Sequence, residues 1–251
     1  MLHIANIINS TIASSVQGWR GTSSSQNVEQ PDGKLFLFDR EGDPACRLVR
    51  ETITSLNLDV MIMPCPLGGA NIKQLAENSG TSEVPVLYDA NVEEQRIGAN
   101  EIIQYLYKQY RGCDAPERVR VTKKRLAMSK LSSLTRLNAG TIARPSRGAA
   151  QPLRLYSFES SPFSRIVREL LCELELPYEL VTLGKQQRAD MGPAKLRFNV
   201  GAYVPIPGSK REAFNAKHGN VQVPFLEDPN TGVELFESQV IVGYLKREYA
   251  L

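Results

Sequence analysis

The pattern of apolar and polar positions repeats within the chain. Residues 35–51 and 153–169 are identical at eight of seventeen positions at a constant offset of 118 residues, and both end in Arg-x-Val-Arg-Glu. In each stretch an alternating apolar strand leads through a proline-containing turn into a helix whose apolar residues recur at helical spacing. The pattern therefore predicts strands over residues 34–38 and 153–156, each followed by an amphipathic helix.

The matching continues downstream of these helices. A Val-Pro pair introduces a further apolar strand in both copies, and Ile-x-x-Tyr-Leu or its close variant ends both, now at an offset of 139 residues. The order β-α-β-α-β-β-α predicts a compact α/β domain whose first crossover is parallel. The change of offset predicts an insertion of 21 residues in the second copy, near residues 191–219. The remaining predicted elements are strands over residues 59–63 and 178–183 and closing helices over residues 100–110 and 238–249.

Three stretches lie outside the copies. A helix is predicted over residues 1–20, and its nearly uncharged polar face favours packing on the same protein over a membrane surface. Residues 21–33 are typical of a flexible linker, and another helix is predicted over residues 116–137. The chain is thereby divided into an N-terminal helix and linker (residues 1–33), a degenerate domain (34–110), a basic helical connector (111–150) and a second domain (151–251).

The composition is that of an ordinary globular protein of 251 residues, with 42% apolar and 23% charged positions. No apolar run approaches the roughly 18 residues of a membrane span. No positive segment precedes an apolar stretch, as it would in a secretory leader. We therefore expect a cytoplasmic protein without a membrane span. Four scattered cysteines and two isolated histidines predict neither a disulfide scaffold nor a metal site.

Charge is unevenly distributed along the chain. The net charge is +3, but residues 111–148 hold ten basic and two acidic side chains, which gives this segment +8. Such a segment either attracts an anionic or protein partner or serves as a solvated connector. Because it lacks interleaved aromatic residues, we expect no specific nucleic-acid binding. The sequence leaves the oligomeric state open.

The repeated motifs carry a resemblance to known proteins. A strand, a turn similar to Cys-Pro-x-Cys at the start of a helix, and a later Val-Pro strand resemble the thioredoxin and glutaredoxin fold. The Glu-Ser pair before the last helix resembles the N-terminal domain of glutathione transferases. With Ala-Arg-Pro-Ser-Arg at residues 143–147 and Asp-Pro-Asn-Thr-Gly at residues 228–232, the chain is similar to a tandem family of plants and bacteria. The resemblance implies an α/β fold of two thioredoxin-like domains joined by a basic helical linker.

The turn of the second copy has serine where glutaredoxins have their two cysteines, in Ser-Pro-Phe-Ser at residues 161–164. By resemblance, the hydroxyl of Ser161 is the catalytic group, which donates a hydrogen bond to the sulfur of glutathione and favours the thiolate. Serine is also a common helix N-cap, and the two roles are compatible. The first copy has Asp43 at this position, which would repel a thiolate, and Cys46 is expected to be inert.

The same resemblance implies further glutathione-binding groups. The prolines of both Val-Pro pairs are expected to follow cis peptide bonds, which present the preceding backbone to the cysteinyl part of glutathione. Glu237 and Ser238 are expected to hold the ammonium and carboxylate of the γ-glutamyl end, whereas the first copy has Gly98 and Ala99. The glutathione site is therefore expected in the second copy, with the binding residues Phe163, Val223, Pro224, Glu237 and Ser238.

We therefore expect a glutathione-binding, glutathione transferase-like protein with glutathione as its substrate or ligand. The alternative is a non-catalytic module that binds glutathione or a protein thiol, and a purely structural scaffold is a third possibility. Glutathione transferases follow this domain with an all-helical domain that builds the electrophile pocket. Here that wall would have to come from the N-terminal helix, the basic segment, the insertion or a second subunit.

Overall fold

The structure, a computed structural model, describes residues 2–25, 29–192 and 202–251. Within them, eight α-helices and eight strands, together with one 3₁₀ turn at Arg188–Asp190, form the mixed α/β fold that the sequence predicts. The helices are α1 (Leu2–Val16), α2 (Pro44–Leu56), α3 (Asn71–Ser79), α4 (Ala99–Arg111), α5 (Lys123–Thr135), α6 (Pro162–Glu173), α7 (Lys210–His218) and α8 (Ser238–Tyr249). The strands are β1 (Leu35–Asp39), β2 (Val60–Pro64), β3 (Val86–Asp89), β4 (Glu94–Ile97), β5 (Leu153–Ser157), β6 (Tyr178–Thr182), β7 (Phe225–Asp228) and β8 (Val233–Phe236).

Each copy of the repeat contributes four strands and has the predicted order of elements. In the first copy β1 pairs in parallel with β2, and β3 and β4 add to β1 in antiparallel fashion. Strands β5 to β8 repeat this pattern. The predicted strands and closing helices differ from the observed ones only at their ends, where hydrophobic periodicity carries little information.

The two sets of strands join into one sheet, in the order β4-β3-β1-β2-β6-β5-β7-β8. At the centre β2 and β6 pair in antiparallel fashion, and Met61 lies opposite Glu179, its own counterpart at the offset of 118 residues. Such a register relates the copies as a twofold axis relates the subunits of a dimer. The largest apolar core also runs through both copies, from Leu37 and Ile53 to Leu155 and Leu171. The sheet and this core are thus continuous, and a division into two tandem domains stays a prediction.

Helices α1 and α5 are equivalent parts of a longer repeat. Helix α1 packs against α5 and against α6 of the second copy, whereas α5 packs against α2 of the first copy. The hydroxyl of Ser10 donates to the carbonyl of Pro162 at 2.8 Å, and the hydroxyl of Ser129 donates to the carbonyl of Pro44 at 3.0 Å. Helix α1 therefore contacts the first turn of α6, and α5 contacts the first turn of α2, so each packs on the copy that does not directly follow it in the chain.

Residues 111–150 contain α5, which packs against α1 and α2, and the description of this segment as a basic helical connector stays a prediction. The helix predicted over residues 116–137 begins only at Lys123, because the hydroxyl of Thr122 caps it by accepting from the amide of Arg125 at 3.2 Å. Two of its arginines are used inside the protein, since Arg125 pairs with Glu51 and Arg136 with Glu169, both at 2.6 Å. An anionic or protein partner at residues 111–148 stays a prediction.

The expected flexible linker is in part anchored. The amide of Ser24 donates to the carbonyl of Lys185 at 3.0 Å. Its hydroxyl donates to the carbonyl of Thr54 at 2.6 Å. Gly21, with a φ of 74°, lies so close to Glu159 that a Cβ would approach the Cβ of that glutamate to 2.7 Å. Residues 21–25 are therefore held between the two copies, while residues 26–28 of the predicted linker lie outside the described residues.

A buried ion-pair network connects the copies through the Arg-x-Val-Arg-Glu motifs. Arg50 contacts Glu159 of the second copy at 3.0 Å, and Arg168 contacts Glu41 of the first copy at 3.0 Å. Arg168 also contacts Glu159 at 3.1 Å, and Arg50 contacts Asp39 at 2.6 Å. Burial raises the pKa of Glu159, but the guanidinium groups around it, Arg168 foremost, lower it to about 2. The arginines and glutamates of the two copies thus form ion pairs that hold the copies together.

Two kinds of feature are absent from the part of the chain that the structure describes. No helix there is long and apolar enough to cross a membrane. The same residues contain no group of three or more His, Cys, Asp or Glu side chains that could hold a metal ion.

Candidate functional site

Ser161 is the N-cap of α6, at the end of the turn that follows β5. Its oxygen accepts hydrogen bonds from the amide of Ser164 at 3.3 Å and from the hydroxyl of Ser164 at 3.0 Å. Pro162 occupies the first turn of the helix, where a missing amide proton costs nothing. A hydroxyl has two acceptor sites and one proton, so these bonds leave the proton of Ser161 to be donated elsewhere. The N-cap interpretation is confirmed, and it is compatible with the predicted role toward sulfur.

Val223 and Pro224 lie beside this turn. Strand β7 begins directly after Pro224 and pairs with β5 through Phe225 opposite Tyr156, which brings the Val-Pro pair next to the segment leading into α6. The peptide bonds Val84-Pro85 and Val223-Pro224 are both cis, as expected from the resemblance.

Glu237 and Ser238 stand at the start of α8. Glu237 precedes the helix with a φ of 68° and a ψ of 119°, and its carboxylate accepts from the side-chain amide of Gln222 at 2.8 Å. The equivalent residue of the first copy is Gly98, with a φ of 84° and a ψ of 146°. At positive φ, residues other than glycine are largely confined to the left-handed region with ψ of about +30 to +60°, and both residues lie outside it. The second copy therefore retains a glutamate at a position whose backbone favours glycine.

Helix α8 is fixed from its other end. Asp228, at the end of β7, accepts hydrogen bonds from the hydroxyl groups of Tyr244 and Tyr249, both at 2.6 Å. Burial raises the pKa of Asp228, but these two hydrogen bonds outweigh it and lower the pKa below its usual range. The anchor holds the Glu-Ser pair in place relative to the strands.

One cleft of about 930 Å³ is lined by all six residues predicted for the site. They are Ser161, Phe163, Val223, Pro224, Glu237 and Ser238. The cleft also has lining residues that the sequence did not predict. From the N-terminal segment, the β6–α7 connection and α7 these include Thr11, Trp19, Lys185, Arg188, Met191 and Arg211. The sequence contained no local signal for them, because Thr11 and Trp19 come from a remote N-terminal segment and the others lie in or just before the insertion of the second copy, where there is no repeated motif.

The described part of the insertion forms one wall of the cleft. Asp190 accepts from the hydroxyl of Tyr203 at 2.6 Å and lies 3.4 Å from the guanidinium of Arg211. The Lys185 amine lies 5.5 Å from the centre of the Phe158 ring. Residues 193–201 of the predicted insertion lie outside the described residues.

The corresponding turn of the first copy is chemically different. Asp43 caps α2 and accepts from the amides of Ala45 at 2.8 Å and Cys46 at 3.0 Å. Cys46 is buried, and burial together with the nearby carboxylates of Asp39 and Asp43 raises its pKa well above the usual value. A thiolate at this turn is therefore strongly disfavoured.

Comparison with known proteins agrees with this geometry. The family model described as glutathione S-transferase, N-terminal domain, matches residues 37–114 and 155–251, and the chain belongs to this family. Glutathione as a substrate or ligand stays a prediction.

A curated relative extends the comparison. The glutathione S-transferase-like protein OpS6 of Beauveria bassiana is 31% identical over 99 residues, which cover 39% of this chain and 36% of that protein. The chain thus spans little more than a third of the length of this relative. No solved structure matches the chain.

Proposed function

We propose that the cleft of the second copy binds glutathione and activates its thiol for transfer to an electrophile. The observation that carries this proposal is that six residues chosen from the sequence line one cleft. The positive φ of Glu237 supports it further, because a costly backbone conformation at a cleft is commonly retained for function.

Ser161 would act on the sulfur. Its oxygen already accepts two hydrogen bonds from Ser164, so its proton would be donated to the thiolate. The N-terminus of α6 adds a positive dipole end at the same place. Both effects lower the pKa of a thiol from its usual value of about 8.5, and the released proton passes to water. The thiolate then forms a bond to the electrophilic carbon as the leaving group departs with its electron pair.

The other parts of the peptide have suitable partners in the cleft. The Glu237 carboxylate would pair with the ammonium of the γ-glutamyl end, and Ser238 with the amides at the start of α8 would bind its carboxylate. Arg188 lines the same cleft and is exposed, which suits the second carboxylate of the peptide.

The test is conjugation of glutathione to chlorodinitrobenzene by the wild-type chain and Ser161→Ala. A hydrogen bond to a charged group contributes about 1.5–3 kcal/mol. Ser161→Ala is therefore expected to lower the turnover rate about 10- to 100-fold, with glutathione affinity by calorimetry changed less than about threefold.

Asp43→Ala is the matched control, because it removes the equivalent N-cap away from the cleft. It is expected to lower stability by about 1 kcal/mol and to leave turnover unchanged. Absence of glutathione binding would refute the proposal. Binding without turnover in the wild type would instead favour the non-catalytic module.

A further inference from the structure

Two exposed aromatic side chains line the cleft, and one of them, Phe163, is also among the predicted glutathione-binding residues. Trp19 is 44% exposed and Phe163 is 36% exposed, and both line the cleft. Trp19 belongs to the segment after α1, which precedes the first copy in the chain. The second copy's cleft is therefore completed by a segment more than a hundred residues away in sequence.

The backbone around Trp19 is held in place. The Trp19 amide donates to the carbonyl of Ser14 at 3.0 Å, and its carbonyl accepts from the hydroxyl of Thr22 at 2.5 Å. Thr22 is also hydrogen-bonded to Ser160, directly before Ser161. The backbone that carries the indole is thus fixed relative to the turn with the predicted catalytic serine.

Comparison with the other half of the molecule shows that these aromatic residues are particular to this cleft. The residue equivalent to Trp19 is Asn138, and both have left-handed backbones, with φ of 57° and 55°. Asparagine adopts this conformation readily, whereas a bulky side chain does so rarely. Phe163 corresponds to Ala45. The aromatic groups and the Glu-Ser pair therefore occur together, in one half only.

We infer that Trp19 determines the specificity of the cleft and selects electrophiles with a flat aromatic group. This inference rests on the proposed function, because the aromatic group must lie beside the glutathione sulfur. The indole would stack on the ring of the co-substrate, and Phe163 would contact it from the α6 side. In the reaction, the thiolate forms a carbon–sulfur bond to the substituted carbon while a halide leaves with the bonding electrons.

The test compares the binding of S-methylglutathione and S-benzylglutathione by calorimetry. The wild-type chain is expected to bind the benzyl compound at least tenfold more tightly, as the burial and stacking of one ring allow. Trp19→Asn places the residue of the other half at this position without backbone strain. It is expected to reduce this ratio to about threefold or less while the affinity for S-methylglutathione changes less than twofold. Asn138→Ala is the matched control and should leave the ratio unchanged.

The outcomes separate the two proposals. If neither peptide binds the wild-type chain, the glutathione site itself is wrong and this inference falls with it. If both bind but the ratio survives Trp19→Asn, the glutathione site stands and the role of Trp19 is refuted.

Fluorescence provides a second measurement, because Trp19 is the single tryptophan of the chain. S-(nitrobenzyl)glutathione, whose nitroaromatic ring quenches indole emission on contact, is expected to quench more than half of the fluorescence at saturation. Unchanged emission at a concentration that calorimetry shows to be saturating would overturn the stacking.

Discussion

Replacing Glu237 by glycine is expected to preserve or raise stability while it weakens glutathione binding. The residue has a φ of 68° and a ψ of 119°, and a non-glycine residue in such a region costs about 1–3 kcal/mol. In the other half, Gly98 adopts a similar conformation. The structure thus contains both the strained residue and its unstrained counterpart.

The free-energy cost of the backbone strain follows most clearly from comparing Glu237→Gly with Glu237→Ala. Both variants lose the carboxylate and its hydrogen bond to Gln222, so these losses cancel in the comparison. At an ordinary position alanine is more stable than glycine by about 0.4–1 kcal/mol, because glycine gains more entropy on unfolding. At position 237 the relief of backbone strain outweighs this entropy difference, and the glycine variant is expected to be more stable than the alanine variant by about 1 kcal/mol.

Urea denaturation of the purified variants measures this difference. Gly98→Ala is the matched control, because a Cβ at Gly98 would meet no atom within 4 Å and only backbone strain is added. It is expected to lower the free energy of unfolding by about 1–2 kcal/mol and to bind glutathione as the wild type does. Both Glu237 variants are expected to bind glutathione about tenfold more weakly. An alanine variant as stable as the glycine variant, or wild-type affinity in both, would refute the reasoning.

Two further predictions concern the serine turn and the central network. In a Cys113→Ser background, which removes an exposed thiol, Ser161→Cys is expected to form a mixed disulfide with glutathione disulfide at least tenfold faster than Asp43→Cys, as followed by intact mass. Equal rates would contradict a glutathione site confined to the second copy. At pH 7, Glu159→Gln is expected to lower the free energy of unfolding by about 3 kcal/mol, because it leaves buried guanidinium groups uncompensated. The pKa of Glu159 is lowered from 4.5 to about 2, so the wild type loses this contribution as pH falls from about 4.5 toward 2, and the variant does not. If unfolding in urea depended on pH in the same way for the two proteins, Glu159 would not be responsible for the loss of stability at acidic pH.

Much of the fold and of the site could be predicted from local sequence. Period-two and helical patterns mark the strands and helices of each copy, and Ser161 marks the start of α6. The six predicted site residues, which the family resemblance implied, lie at the ends of such elements and line one cleft. The helix over residues 116–137 was wrong at its start, because Thr122 caps α5 later than the apolar pattern suggests.

The sequence by itself determined the duplication, the order of elements in each copy and, through the family resemblance, the half of the chain in which the glutathione site is predicted. Only the tertiary structure decided that β2 pairs with β6 and that α1 packs on α6 while α5 packs on α2. It alone also placed Trp19 in the lining of the second copy's cleft. It also decided that Arg50 and Arg168 cross between the copies. The physical reason is distance along the chain: hydrophobic periodicity shows which face of an element is buried, but not which remote edge or charge covers that face.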